Sequence, residues 1–112
     1  MVENLGASIE RYMNLLSVRQ RLVAANIANA DTPGYQTKDI DFQAELQTQA
    51  GNFGPNIVEV AGLKSKNDGN NVSVDREARL LAENALRFSI ASNLARGELS
   101  TLRSAIQEDK ST

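Results

Sequence analysis

The chain has no cysteine, no histidine and no tryptophan among its 112 residues. Without cysteine there is no thiol nucleophile, disulfide or Cys-x-x-Cys redox pair, and the redox state of the compartment leaves no trace in the sequence. Without histidine no Ser-His-Asp relay can be built, and a zinc site would have to consist of carboxylates alone. Aromatic residues make up 4% of the chain, so large anchors for a self-sufficient core are few. A surplus of cations is missing too: 12 Lys and Arg stand against 14 Asp and Glu, a net charge of -2. A nucleic-acid partner would require a basic excess to neutralise phosphates, so none is expected. Apolar runs such as Leu22-Val23-Ala24-Ala25 fall far short of the roughly 20 residues of a membrane span. Glu3, Glu10 and Arg11 interrupt the N-terminal segment, which has no basic n-region, so a cleaved secretory signal is not expected.

What is present divides into three parts: 1–31, 32–74 and 75–112. In the first, apolar residues recur at Leu5, Ile9, Tyr12 and Leu16, and again at Val23, Ile27 and Ala30 after Arg19 breaks the series. Steps of three and four predict an amphipathic helix from about Asn4 to Asn29. It stops at Asp31-Thr32-Pro33-Gly34, where proline removes a donor and Pro33-Gly34 suits the centre of a type II turn. In the middle part, Lys38–Phe42 reads as a short strand or extended arm, and Phe42–Leu46 also as the start of a short helix. Ile57–Val60 and Val72–Val74 look like strands, with the turn signal Asn67-Asp68-Gly69-Asn70 between them. The expectation is an irregular or β-hairpin arm.

The third part carries the longest periodic pattern. Asp75 is the expected N-cap, with Glu77 in the first turn where the helix dipole favours an anion. Ala78, Leu81, Ala85, Phe88, Ser92, Ala95, Leu99, Leu102 and Ile106 alternate steps of three and four, the spacing of a coiled-coil seam. Leu81, Phe88, Leu99 and Leu102 are expected to pack on Ile9, Leu16, Val23 and Ile27 of the first helix. A helix from Asp75 to Gln107 is about 50 Å long, more than the diameter of a compact domain of this size. The fold class is therefore mainly α: two long terminal helices paired as an antiparallel coiled-coil hairpin, with a short arm between. Small seam residues contribute little burial against the ordering cost of the backbone, so neighbours should complete the core.

Ala25-Asn26-Ile27-Ala28-Asn29-Ala30-Asp31-Thr32-Pro33-Gly34-Tyr35 closely resembles the signature of bacterial flagellar rod, hook and hook-associated proteins, through Asn26, Ile27, Ala28, Asn29, Thr32, Gly34 and Tyr35. The continuation Tyr35–Phe42, the segments Asp75–Glu77 and Leu81–Phe88 and the ending Leu102–Ile106 are similar to the proximal rod members of that family. The resemblance implies a structural subunit of the proximal rod, the drive shaft of the flagellar basal body, self-assembling with other rod proteins into a helical tube that transmits torque. It implies other rod subunits and copies of itself as partners, with the rotor MS ring, the rod-junction protein and the flagellar export gate. It also implies export without a cleaved signal and a place within the cell envelope on the periplasmic side. The seam residues Ile9, Leu16, Val23, Leu81, Phe88, Leu99, Leu102 and Ile106 become the assembly surface. Phe42 and Leu46 match a Phe-x-x-x-apolar segment that in early export substrates is recognised by the export gate.

Asn26 and Asn29 also fit an ordinary helix end, where side-chain amides satisfy loose backbone groups. Phe42 and Leu46 also fit a short packed turn. Asp39 with Asp41, or Glu77 with Glu83, lack any partner base or apolar pocket that would make an acid–base pair, so solvated carboxylates are expected. No catalytic, cofactor or metal residue and no small-molecule substrate is expected. The competing class is a generic coiled-coil adaptor or scaffold, which would form a discrete dimer rather than a repeating array.

Overall fold

The structure is a computed structural model that describes residues 2–48 and 54–111, with side chains described for 5–48 and 54–108. Its elements in order are α1 (Val2–Ala28), β1 (Lys38–Ile40), α2 (Phe42–Gln47), β2 (Ile57–Glu59) and α3 (Val74–Ser111). The molecule measures 72 × 26 × 17 Å, and its radius of gyration of 18.6 Å exceeds the roughly 13 Å of a compact chain this long.

α1 and α3 run antiparallel. Glu98 lies over Gly6, Asn84 bonds Gln20 and Glu77 bonds Asn26, so each step along α1 is matched by an equal step back along α3. Continuing that register sets Val2 opposite about Leu102. Gly6 is where the carboxylate of Glu98 crosses α1: a Cβ there would meet its oxygens at 3.3 Å.

The seam differs from the expected one on α3. The buried residues are Glu77, Leu80, Asn84 and Ala91, while Leu81, Phe88, Leu99, Leu102 and Ile106 are exposed. The buried stripe is thus displaced by one residue, about 100° of helix. The cause is polar: Glu77 and Asn84 occupy seam positions because they bond α1 residues, and that turns the neighbouring apolar stripe toward a flank. On α1, Ile9, Leu16 and Val23 are buried as expected, but Ile27 and Leu5 are exposed. The residue that broke the α1 pattern, Arg19, sits in the stripe itself and bonds Asp39.

The small hydrophobic core lies where the arm folds back. Leu15, Leu16, Ile40 and Phe42 form it, with Tyr12, Val18, Leu22 and Leu46 packed around. The Tyr12 and Phe42 rings meet edge to face at 5.5 Å and 87°, and the Arg19 and Arg87 guanidinium groups stand over the Phe42 ring at 5.7 and 5.8 Å. α2 begins at Phe42 because Asp41 accepts from Ala44 N at 3.2 Å, an N-cap.

The arm contains a two-stranded antiparallel sheet, with Lys38 opposite Glu59 and Ile40 opposite Ile57. Val72–Val74 is not a strand: Val74 opens α3, and the N-cap is Ser73 rather than Asp75, its Oγ accepting from Arg76 N at 3.2 Å. Thr32-Pro33-Gly34-Tyr35 closes as a turn, Tyr35 N to Thr32 O at 3.2 Å, with Gly34 at φ 76°. That positive φ at the third position is what a type II turn demands of glycine.

Candidate functional site: a buried polar cluster and an open seam

The closed end of the hairpin is built around Asn26, whose side chain is fully buried. Its amide nitrogen donates to Lys38 O at 2.8 Å and to Glu77 Oε1 at 2.6 Å. Its oxygen accepts from Lys38 N and from the Tyr35 hydroxyl, each at 3.1 Å. Both donors and both lone pairs are used. Toward Lys38 the side chain behaves as a neighbouring strand would, engaging both the N–H and the C=O of one residue. One asparagine therefore ties together α1, the strand leaving the turn and the first turn of α3. Aspartate would lose two donors and face the Glu77 carboxylate; leucine would strand four polar groups.

Around it lies a charge-balanced set. Asp39 accepts Arg19 Nε at 3.1 Å and Ile40 N at 2.7 Å on one oxygen, and Arg19 Nη2 at 3.0 Å and Arg76 Nη2 at 2.7 Å on the other. Arg76 also donates to Glu77 Oε2 at 2.6 Å. Two cations face two carboxylates with hydrogen bonds on every carboxylate oxygen, the condition under which buried charge is tolerated. Burial alone would raise the Asp39 carboxyl, but the bonds from Arg19, Ile40 N and Arg76 outweigh it and hold it below the usual range. Burial alone would lower Arg76; its bonds to Asp39 and Glu77 raise it instead. Burial, and then the charge of Glu77, raise the Tyr35 phenol. Asp39 and Glu77 are thus not the solvated carboxylates expected, and every proton-accepting oxygen they have is engaged in holding the fold.

The other signature residues divide. Asn29 closes the helix end, donating to Ala25 O at 2.8 Å and accepting the Thr32 hydroxyl at 3.0 Å. Gly34 N donates to Asp68 O at 2.9 Å. Asn70, also fully buried, donates to Asn29 O at 2.9 Å and Thr32 O at 2.8 Å, capping α1 from the far side of the arm. Asn71 accepts Thr37 N at 2.7 Å and donates to Gln36 Oε1 at 3.0 Å. Ile27 and Ala28, in contrast, are exposed and take no part in the cluster. The buried bonding roles of Arg19, Asp39, Asn70, Asn71, Arg76 and Glu77 were not foreseen from the sequence. The available signal was a charged or amide residue at seam spacing: Arg19 and Asn26 follow Leu16 and Val23 by three.

Beyond the cluster the seam opens. Phe88 and Leu99 are 40% and 49% exposed, and from Leu81 to Ile106 eight large apolar side chains of α3 face outward. Patches of that extent mark surfaces meant to be covered. Phe42 lies in the core and Leu46 beside it. Among the described residues no three acidic side chains gather as a metal site, and no helix is long and apolar enough to cross a membrane.

Fold and site define a non-globular structural subunit: a helical ribbon pinned at one end by a polar cluster and left apolar along the rest. A family profile described as "Flagella basal body rod protein" matches residues 13–36, the stretch that holds Arg19, Asn26, Asn29 and the turn. The chain is 30% identical to flagellar basal body rod protein FlgB of Escherichia coli (strain K12), over 96% of this chain and 98% of that protein. Against the FlgB of Borrelia hermsii it is 33% identical over 75% of this chain and 82% of that protein. With the FlgB of Salmonella typhimurium it shares 29% over 96% and 98%. The chain belongs to the FlgB family of flagellar basal body rod proteins.

Proposed function

We propose that the chain is a structural subunit of the proximal rod, packing with copies of itself and with other rod subunits into a helical tube that transmits torque. The observation that carries this reading is the exposed apolar length of α3, which has no use in an isolated chain. A shaft subunit must present surfaces to neighbours on more than one side, and a ribbon 72 Å long and 17 Å thin does so. Leu81, Phe88, Leu99, Leu102 and Ile106 then serve between subunits, while Ile9, Leu16 and Val23 hold the subunit together. The paired helices of 1–31 and 75–112 make one elongated domain, and the arm, 32–74, folds back onto it. The chain acts without catalysis, in the envelope on the periplasmic side, beside the MS ring and the rod-junction protein.

Export precedes this assembly. Phe42 and Leu46 are a recognition element for the export gate that works only before folding, because the folded chain buries Phe42. In cells whose rod cannot assemble, Phe42→Ala and Leu46→Ala should lower secreted protein while cytoplasmic protein remains. Unchanged secretion there makes them packing residues alone. The rod reading itself is tested by electron cryomicroscopy of basal bodies from cells carrying this chain. Paired helices in the register of Asn26 with Glu77, repeating around the rod axis, support it. A discrete dimer outside the rod supports the adaptor instead.

A further inference from the structure

The two-stranded sheet of the arm has one closed edge and one open edge. Val60 N donates to Thr37 O at 2.9 Å, and the register sets Asp39 opposite Val58. In an antiparallel ladder Val58 therefore turns its N–H and C=O toward β1, while Ile57 and Glu59 turn theirs away. On the outer side of β1 the equivalent groups belong to Lys38, and Asn26 takes both, at 2.8 and 3.1 Å. On the outer side of β2 no described residue bonds the N–H or C=O of Ile57 or Glu59. All of β2 is exposed, Ile57 at 51% and Val58 at 41%. Proteins blunt such edges with a lysine, a proline or a bulge, and β2 has none of these.

The open edge also carries charge of one sign. Among the described residues Glu59 makes no ion pair: Lys38, opposite it on β1, lies with Nζ over the Tyr35 ring at 4.8 Å. Glu45 adds a second carboxylate at the start of the strand, where it accepts Asn56 N at 3.1 Å.

We infer that an extended segment of a different protein adds to β2 as a third strand, with a Lys or Arg opposite Glu59 and aliphatic residues opposite Val58 and Ile57. A second copy of the chain is a poor donor of that strand. Among the described residues its strands are β1, whose outer edge Asn26 occupies at Lys38, and β2 itself. Antiparallel pairing of β2 with its own image sets Glu59 opposite Glu59, or diagonal to it on one face, or opposite Pro55, which has no N–H to give. The inference rests on the proposed rod function only in placing other protein chains beside the arm.

Proline tests it, because the side to which the lost N–H points decides the effect. Ile57→Pro and Glu59→Pro each delete an outward N–H and should keep the native melting temperature by circular dichroism. Val58→Pro deletes a ladder donor and should lower it; equal losses in all of them overturn the inference. Purified full-length chain is then titrated with the peptide acetyl-Thr-Lys-Val-Val-Thr-amide and followed by nuclear magnetic resonance. The peptide should shift the amides of Ile57 and Glu59 saturably at millimolar concentration and should fail to bind Glu59→Pro. Replacing its Lys by Glu should weaken binding about fivefold. No saturable shift, or binding that survives Glu59→Pro, overturns the inference. In cells, Glu59→Pro should be recovered in basal bodies roughly tenfold less than Glu59→Gln. Equal recovery overturns it, as does a photo-crosslinker at position 57 that captures only second copies of the chain. Peptide binding is read without basal bodies, and the native chain is scored in basal bodies without the peptide, so this contact and the rod function can fall separately.

Discussion

The two ends of the α1–α3 ribbon solve the same problem, joining two helices, with opposite chemistry. At the closed end the seam is polar, buried and satisfied within the chain: Asn26, Glu77 and Asn84 fill positions where a coiled coil would place leucine. At the open end it is apolar, half-exposed and unfinished, with Leu99 and Leu102 beside an open groove. A polar seam demands one partner in one register, since each buried donor must meet its acceptor or cost about 1–3 kcal/mol. An apolar seam accepts any surface of matching shape. The closed end specifies the subunit; the open end leaves room for an assembly.

The sharpest way to break this contrast is Glu77→Ala. It leaves Arg76 with one carboxylate and Asn26 with an idle donor in a buried site, and should cost about 3–5 kcal/mol, read from urea melts of the lone chain by circular dichroism. Leu99→Ala in the same assay should cost under about 1 kcal/mol; equal losses would mean that the ends do not differ. Hydrogen exchange gives the same comparison in one molecule, with amides near Asn26 and Glu77 outlasting those near Leu102.

Acid should act at the closed end next. The Asp39 carboxyl is held below its usual range, so its contribution is complete above about pH 4 and is lost as pH falls through the lowered folded value. The melting temperature of the native chain should drop more steeply below about pH 4 than that of Asp39→Asn. Parallel curves would show that Asp39 is not stabilised by its arginines.

Phe88→Ala sharpens the contrast from the other side. As a central seam residue Phe88 would be worth about 3–5 kcal/mol; exposed as it is, it should cost the lone chain about 1 kcal/mol while rod assembly, scored by motility, suffers more. The smallest effect is a gain. Gly97→Ala should stabilise α3 by up to about 1 kcal/mol, since the added methyl meets nothing. If a neighbour approaches there, motility falls although stability rises.

Legibility in the sequence follows the same division. Apolar spacing and the Pro33-Gly34 pair announced two long helices and the turn between helix and arm, because those signals are local. The stripe on α3 was displaced by one residue because a binary pattern counts Glu77 and Asn84 as surface, whereas bonds to Asn26 and Gln20 hold them inside. Ile57–Glu59 was recognisable as a strand, but its partner is Lys38–Ile40 rather than Val72–Val74; pairing across the chain depends on Thr37, Asn70 and Asn71, whose bonds are long-range. Asn26 and Asn29 stood out through resemblance, yet the reason for an amide at 26 needs Lys38, Tyr35 and Glu77 brought together.

Asn26 joins α1, the strand after the turn and α3 through one side chain. It works like the pivot pin of a folding rule: with the pin drawn each leaf stays whole, but nothing holds the angle between them. The helices would keep their internal ladders without it, and what would be lost is the pose in which they meet.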